Sequence, residues 1–167
     1  EDLYKNLDRL KKRCIKKAME SNLDTRFFYK EEAIPYIPEF LKLRELTQKR
    51  AIHNNKNASM LLKSQAFFED LFKNYETTMV TVRVDGIMVA AATFIQGGNT
   101  VFAHMSGSLA EYNKSTGAGT YYYWAAMQYF KEKNVRFFDF GGSPYYPTEE
   151  NPAYGVYTFK KGFGAEY

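Results

Sequence analysis

The sequence holds few of the residues from which disulfide bonds and metal centres are built. Among its 167 residues are one cysteine, Cys14, and two histidines, His53 and His104. A single cysteine excludes an internal disulfide bond and a zinc site built from cysteines. Two histidines disfavour a multi-histidine metal site as well. We therefore expect no bound metal, and the lone cysteine fits a reducing compartment.

Long apolar runs and familiar catalytic motifs are also absent. Uninterrupted apolar runs such as residues 88–92 are far short of the ~18 residues that span a bilayer, and no signal peptide opens the chain. The sequence has no Walker loop, no G-x-S-x-G motif and no H-E-x-x-H motif. We expect neither a transmembrane segment nor the chemistry of the common hydrolases and kinases.

What the sequence does have is the composition of a globular domain with an uneven charge. It is 45% hydrophobic and 25% charged, which argues against disorder, and its length predicts one domain. The net charge of +4 divides into 15 basic and 9 acidic residues in 1–63, against 8 and 10 in 64–167. The excess positive charge therefore lies in the first third of the chain.

Much of that charge follows a helical pattern. On a helix at ~100° per residue, apolar residues align on one side of the first segment. The opposite side carries Lys5, Arg9, Lys12 and Lys16, with Arg13 adjacent; we call these five residues the cationic ridge. Such a stripe is either a solvated face or a contact surface for phosphates or nucleic acid, and the pattern alone does not choose between them.

The order of predicted elements indicates an α/β (α+β) fold. We expect a basic amphipathic helix over residues 1–22, helices over 38–50, 64–75 and 120–133, and strands over 25–30, 79–84, 87–95, 100–105 and 135–140. Asp85–Gly86 predicts a hairpin turn, Ser64 an N-cap, and residues 111–119 a loop. This order resembles the acyltransferase fold called GNAT-like, so we expect a single GNAT-like domain over 1–167, with a mostly antiparallel mixed sheet flanked by helices.

The loop before the fourth predicted helix has the composition of an anion site. Gly117 and Gly119 precede Thr120, and small residues ahead of a helix leave backbone N–H groups free to bind an anion. In acyl-CoA-dependent members of the GNAT-like fold the corresponding loop holds the pyrophosphate. Glycines also simply start helices and close turns, so both interpretations stay open.

Two segments near the end of the chain carry a more specific resemblance. Residues 139–142 read D-F-G-G and residues 159–164 read F-K-K-G-F-G. With the basic helix and a Thr47-x-x-Arg50 pattern, they resemble the Fem family, the aminoacyltransferases that build the interpeptide bridges of peptidoglycan. Those enzymes pair two GNAT-like halves, so the resemblance implies that the chain is the carboxy-terminal part of a longer protein.

The resemblance implies partners and a cellular location. The donor is aminoacyl-tRNA and the acceptor is a UDP- or lipid-linked peptidoglycan precursor. No cofactor is required. A cytoplasmic enzyme is implied, with peripheral contact at the inner face of the membrane where the precursor is lipid-linked.

The resemblance also implies roles for individual residues. Lys160 stabilises the developing oxyanion and the backbone of Phe159 positions the amine. Arg50, with Lys49, binds precursor phosphates, which suits the planar guanidinium. For Lys160 the alternative is a lysine on a surface strand.

The D-F-G-G turn is the other part of the expected substrate site. Gly141 and Gly142 form it beside Asp139, which either orients the substrate or caps local N–H groups. Two other functions stay open for the whole chain: an acyl-CoA-dependent N-acyltransferase that uses acetyl-CoA, and a non-catalytic module that binds a polyanion.

Overall fold

The computed structural model describes residues 2–54 and 61–166, and the strands within those ranges form one five-stranded sheet. The strands lie in the order β1-β2-β3-β4-β5, with β1 to β4 antiparallel and β5 parallel to β4. Their bounds are Asp24–Tyr29, Thr77–Val84, Ile87–Gly97, Thr100–Ser108 and Phe137–Asp139. The predicted mixed, mostly antiparallel sheet is confirmed.

Helices cover both faces of this sheet. They are α1 Arg9–Glu20, a 3₁₀ helix Lys30–Tyr36, α2 Ile37–Asn54, α3 Gln65–Asn74, α4 Ala110–Thr116, α5 Ala118–Glu132 and α6 Tyr154–Lys161. Helix α5 packs on one face, around Phe94 and Phe130, and α2 and α3 pack on the other, around Phe40 and Phe68. The two apolar layers explain the near-continuous burial of β2 and β3, which lie at the centre of the sheet.

Local signals in the sequence form the expected turns and caps. Asp85 and Gly86 both have positive φ angles, 49° and 81°, as a two-residue hairpin turn requires. The Ser64 hydroxyl accepts a hydrogen bond from the Phe67 N–H at 3.2 Å and caps α3 as predicted.

Helix α1 packs beside α6 and joins the two ends of the chain. A buried cluster contains Ile15 of α1, Met127 of α5, Leu7 just before α1 and Phe163 just after α6, and Phe159 of α6 packs against it. The backbone N–H of Asp8 donates to the carbonyl of Gly162 at 2.9 Å. This junction places α6, with Lys160, beside the end of β5.

Four predictions about secondary structure are wrong. The basic helix begins at Arg9, because Asp8 caps it by accepting from the Lys11 N–H at 2.6 Å. The predicted loop 111–119 contains α4. The strand predicted over 135–140 is confined to β5, since Gly141 turns back with φ of 74°. Lys160 lies on helix α6, so the surface-strand interpretation of this residue is wrong.

Within the described residues, no helix combines the length and the apolar character needed to cross a membrane.

Candidate functional site

The side chain of Lys160 joins the two motifs that carry the resemblance. Its Nζ donates to the carbonyl oxygens of Gly141 at 2.8 Å and Gly142 at 2.5 Å. The Gly141 N–H in turn donates to Oδ1 of Asp139 at 2.6 Å. The structure therefore brings together Asp139, Gly141, Gly142 and Lys160, four of the residues named from the sequence, and Asp139 does cap a local N–H group.

The electrostatics of this contact depend on burial. Partial burial lowers the pKa of Lys160 below its ordinary value of 10.5, and the nearby Asp139 carboxylate opposes that shift. An ammonium group has three N–H donors, and the two glycine carbonyls take two of them. The third is left for a ligand, so Lys160 is a positioned cation with one donor to offer.

This cation lies at a cavity of about 410 Å³. The cavity is lined by Thr100, Phe137, Phe138, Asp139, Phe140, Gly141, Ser143, Tyr157, Lys160, Lys161, Ala165 and Glu166. Two lysines and two carboxylates therefore face the same space. Such a mixed lining can stabilise an oxyanion at one side and hold an amine or its proton at the other.

The ring of Phe159 points into the α1–α6 junction. It packs against Tyr123 and Phe163, with ring centroids 5.4 and 5.3 Å away. The Nζ of Lys11 lies 4.1 Å from the centre of the Phe159 ring and 5.3 Å from that of Phe163. Phe159 is thus a core residue by its side chain, and Lys160 is held at the cavity partly because its neighbour is anchored.

Lys11 is a residue that the sequence analysis missed. It is only 4% exposed, and burial lowers its pKa, against the opposing influence of Asp8. Its position could have been found from spacing, since it follows Leu7 and precedes Ile15 by four residues and so belongs to the apolar side of the helix.

Arg50 and Lys49 lie elsewhere. The Arg50 Nη1 donates to the carbonyl of Ser108 at 2.9 Å, and Lys49 forms an exposed ion pair with Glu45 at 2.9 Å. Ser108 ends β4, whereas Asp139 pairs with Phe102 near its start. Six residues of strand span about 20 Å, so the structure does not bring Arg50 and Lys49 to the Lys160 cavity.

The Thr47-x-x-Arg50 pattern ties helix α2 to the end of β4. Thr47 Oγ1 accepts from the Ser108 N–H at 2.9 Å and lies 3.3 Å from the Ser108 carbonyl that Arg50 also contacts. One turn earlier, the buried Arg44 donates to the carbonyls of Ser106 at 3.0 Å and Leu61 at 2.9 Å. Burial lowers the pKa of Arg44. Helical spacing from Thr47 was the signal that could have identified Arg44.

Beyond the end of β5, tyrosines of α5 cover β4. The hydroxyls of Tyr122 and Tyr123 hydrogen-bond to Ser106, and burial raises the pKa of Tyr122 well above 10.0. The Tyr123 ring also packs against Phe94 and Phe140, at 6.3 and 5.5 Å between centroids. The chain fills this side of β4 with its own aromatic rings.

The loop before α5 does not fit a pyrophosphate. The N–H of Gly117 donates to the Asn113 carbonyl, that of Ala118 to Thr116 Oγ1, and those of residues 120 and 121 to the Gly117 carbonyl. A Cβ atom on Gly117 would lie 2.5 Å from the Cys14 carbonyl oxygen, and one on Gly119 would meet Asn113. Helix α1 and α4 occupy the space, so the phosphate-loop hypothesis for Gly117 and Gly119 is not supported.

The last two strands of the mixed sheet pair in parallel over three residues, and the Lys160 cavity lies at the end of the fifth strand. This arrangement defines the acyltransferase class of fold. The chain belongs to the acetyltransferase (GNAT) domain family, whose model matches residues 9–161. Acyl transfer is the class of reaction that this family implies. No curated protein matches the chain.

Solved structures show the same fold in proteins of distant sequence. FemX is 14% identical with a TM-score of 0.83, and the match covers 98% of this chain and 55% of that chain. The aminoglycoside N-acetyltransferase AAC(6')-Iy in complex with CoA is 15% identical, with a TM-score of 0.58 and coverage of 88% and 90%. L-PGS from Bacillus licheniformis is 11% identical, with a TM-score of 0.61 and coverage of 84% and 41%. The chain thus spans about half the length of the FemX chain.

Proposed function

We propose that this acyltransferase domain moves an amino acid from aminoacyl-tRNA to the peptide of a peptidoglycan precursor, as members of the Fem family do. One observation carries the proposal: the Lys160 ammonium, pinned by the carbonyls of Gly141 and Gly142, faces a cavity that also contains Asp139. The two motifs that resemble the Fem family are joined by this contact. The likeness of nearly the whole chain to FemX supports the same family at the level of the fold.

The reaction needs no covalent enzyme intermediate. The precursor amine attacks the carbonyl carbon of the tRNA ester, so a C–N bond forms as the carbonyl oxygen becomes an oxyanion. The C–O bond to the ribose then breaks, and the proton lost by the amine is taken up by the departing ribose oxygen. The remaining N–H of Lys160 is the donor that stabilises the oxyanion.

Asp139 has a separate task in this scheme. Its carboxylate holds the Gly141 N–H, which keeps the turn in the conformation that presents both glycine carbonyls to Lys160. Asp139 therefore acts as a positioning residue for the cation. Glu166, which lines the same cavity, is the second carboxylate and can hold the attacking amine by a charge-assisted hydrogen bond.

The alternative with acetyl-CoA as donor is less well supported. The acyl-CoA-dependent reaction places pyrophosphate on the loop before α5. There the N–H groups of residues 117, 118, 120 and 121 are engaged within the chain, and Gly117 and Gly119 lie close to Cys14 and Asn113. A donor carried by RNA makes no demand on that loop. A cytoplasmic enzyme, meeting a lipid-linked acceptor at the inner membrane face, is part of the same proposal.

The experiment is a transfer assay with labelled aminoacyl-tRNA and a UDP-linked muramyl-peptide acceptor. We expect Lys160→Met to lower kcat by about 10²–10³-fold, the usual loss when one oxyanion donor is removed. Lys73→Met on α3 is the matched control, because Lys73 is exposed and lies outside the cavity. Equal turnover by wild type and Lys160→Met, or transfer from acetyl-CoA alone, would contradict the proposal.

A further inference from the structure

The cationic ridge is a charged surface that the proposed reaction leaves unused. Four of its five members lie on α1, and a groove of about 710 Å³ is lined by Tyr4, Arg9, Leu10, Lys12, Arg13 and Lys16. Among residues 2–54 and 61–166, neither Arg9 nor Arg13 forms an ion pair. Lys16 contacts Glu20 at 3.8 Å, but both side chains are well exposed, and such a pair neutralises little of the field.

The ridge is not needed to hold α1 in place. The opposite side of the helix does that, through Leu7, Ile15 and Ala18, all of them buried. Each of Arg9, Lys12, Arg13 and Lys16 lies three or four residues from two of the others, and like charges at these spacings repel and destabilise a helix. A row of cations that opposes the stability of its own helix indicates a polyanionic partner.

The length of the ridge indicates what kind of anion this is. From Arg9 to Lys16 the helix rises about 10 Å, too far for one phosphate group to contact all four side chains. A nucleic-acid strand, with one phosphate per ~3.4 Å of axis, can contact them in succession. A membrane surface suits the ridge less well, because an interfacial helix must insert its apolar face, and that face of α1 is buried in the protein apart from the exposed Leu10 and Met19.

We infer that the cationic ridge binds the phosphate backbone of RNA, the tRNA body of the donor. The inference rests on the proposed function for the identity of that RNA. Tyr4 adds an aromatic edge to the groove: its ring lies 5.6 Å from Lys12 Nζ and 5.7 Å from the Trp124 ring, and exposed rings of this kind stack on bases.

The ridge is also suitably placed for a donor whose end reaches the Lys160 cavity. Lys11, next to Lys12 in the ridge, contacts the Phe159 ring, and Phe159 directly precedes Lys160. Asp8, next to Arg9, is hydrogen-bonded through its N–H to Gly162. Lys11 is buried on the side of α1 opposite the ridge, so an RNA bound along the ridge is separated from α6 by the width of one helix, about 10 Å.

Binding of labelled, unacylated tRNA to the full chain, measured by fluorescence anisotropy from about 50 to about 200 mM salt, tests the inference. With four phosphate contacts, the affinity of wild type for tRNA should fall about 100-fold over this salt range. The double variant Arg9→Gln/Arg13→Gln should bind more weakly at low salt, and its affinity should fall only about tenfold over the same range. The control Lys42→Gln/Lys73→Gln makes the same change in net charge at exposed positions on α2 and α3 and should bind as wild type. Equal melting temperatures establish that all three proteins are folded.

Several results would overturn the inference. Wild type that fails to bind tRNA, a flat salt response, or a ridge variant that binds like wild type would each do so. Ridge-dependent binding to phosphatidylglycerol vesicles without binding to tRNA would also overturn it and assign the ridge to a membrane. The transfer assay separates the two proposals. If wild type binds tRNA but transfers no amino acid, only the proposed function is refuted. If the ridge variant transfers with an unchanged KM for tRNA, only the assignment of the ridge is refuted.

Discussion

At the scale of single residues, Lys11 and Lys160 show how burial changes the use of a lysine. Both are held by the α1–α6 junction and both have a pKa lowered by burial. Lys160 meets two carbonyl oxygens, while Lys11 rests on two aromatic rings, where the ring quadrupole attracts the cation. The first arrangement leaves a donor for a ligand and the second fixes the position of Phe159.

Lys11 should make the stability of the protein depend on pH. Because its pKa is lower in the folded chain, the unfolded chain binds more protons between that lowered value and 10.5, so the free energy of unfolding rises with pH in this window. We expect the difference in unfolding free energy between wild type and Lys11→Met to shift in favour of wild type as the pH rises. Urea denaturation at a series of alkaline pH values measures it, and subtraction removes the contributions of the other groups. A constant difference would show that Lys11 titrates alike in both states.

Lys160 predicts a pH dependence of activity. Its charged form stabilises the oxyanion in the proposed reaction, and burial lowers its pKa. Transfer should therefore decline on the alkaline side at a pH below 10.5. The Lys160→Arg variant stays charged there, so any activity that it retains should lack this alkaline limb. An identical alkaline limb in both proteins would assign the titration to another group.

At the scale of elements, local signals predicted the strands and caps well. The period-two pattern and the Asp85–Gly86 turn placed β2 and β3, and Ser64 placed the start of α3, because these features depend on neighbouring residues alone. Residues 154–161 form a helix despite their β-branched and aromatic content, since packing on α1 overrides propensity.

The candidate site was predicted only in part. The resemblance named Asp139, Gly141, Gly142 and Lys160, and the structure brings these four residues into contact. Arg50 could not be placed from sequence, because its partner is a backbone carbonyl 58 residues away on β4. A tertiary hydrogen bond to a carbonyl leaves no mark on the identity of the residue that supplies it.

The packing of α1 on the α4–α5 junction predicts a contrast between two glycines. Gly86 and Gly117 both have positive φ angles, 81° and 75°, but only a Cβ on Gly117 would meet another backbone, that of Cys14. Gly86→Ala should cost about 1 kcal/mol of stability for its conformation alone. Gly117→Ala should cost about 3 kcal/mol because overpacking is added. Denaturant unfolding measures both, and equal losses would mean that α1 does not press on this junction.

The attachment of α2 to β4 predicts a cost for removing one hydroxyl. Thr47 Oγ1 accepts from the N–H of the buried Ser108, so Thr47→Val leaves that donor unsatisfied and should lower the free energy of unfolding by about 2 kcal/mol. Ser115→Ala, which removes an exposed hydroxyl bonded within α4, is the control and should change stability by less than about 0.5 kcal/mol. Similar losses in the two variants would show that the α2–β4 contact contributes little.

At the scale of the whole molecule, the fold of the domain and the identity of the acyl donor are separate questions. The same fold occurs in an aminoglycoside N-acetyltransferase bound to CoA and in FemX, and a shared fold does not determine a shared donor. In this chain α1 and α4 close the loop before α5, and the rings of Tyr122 and Tyr123 cover β4 beside β5. These contacts belong to three helices at once, so no single substitution should open a CoA site.

We therefore expect acetyl-CoA to leave the stability of the protein unchanged. A ligand present at 100 times its dissociation constant stabilises the folded state by about 2.7 kcal/mol, which a thermal melt would detect readily in a domain of this size. The measurement is the melting temperature with and without millimolar acetyl-CoA, beside calorimetric titration. A rise in melting temperature that Gly117→Ala abolishes, while Gly86→Ala preserves it, would place CoA on the loop before α5 and restore the acyl-CoA-dependent function.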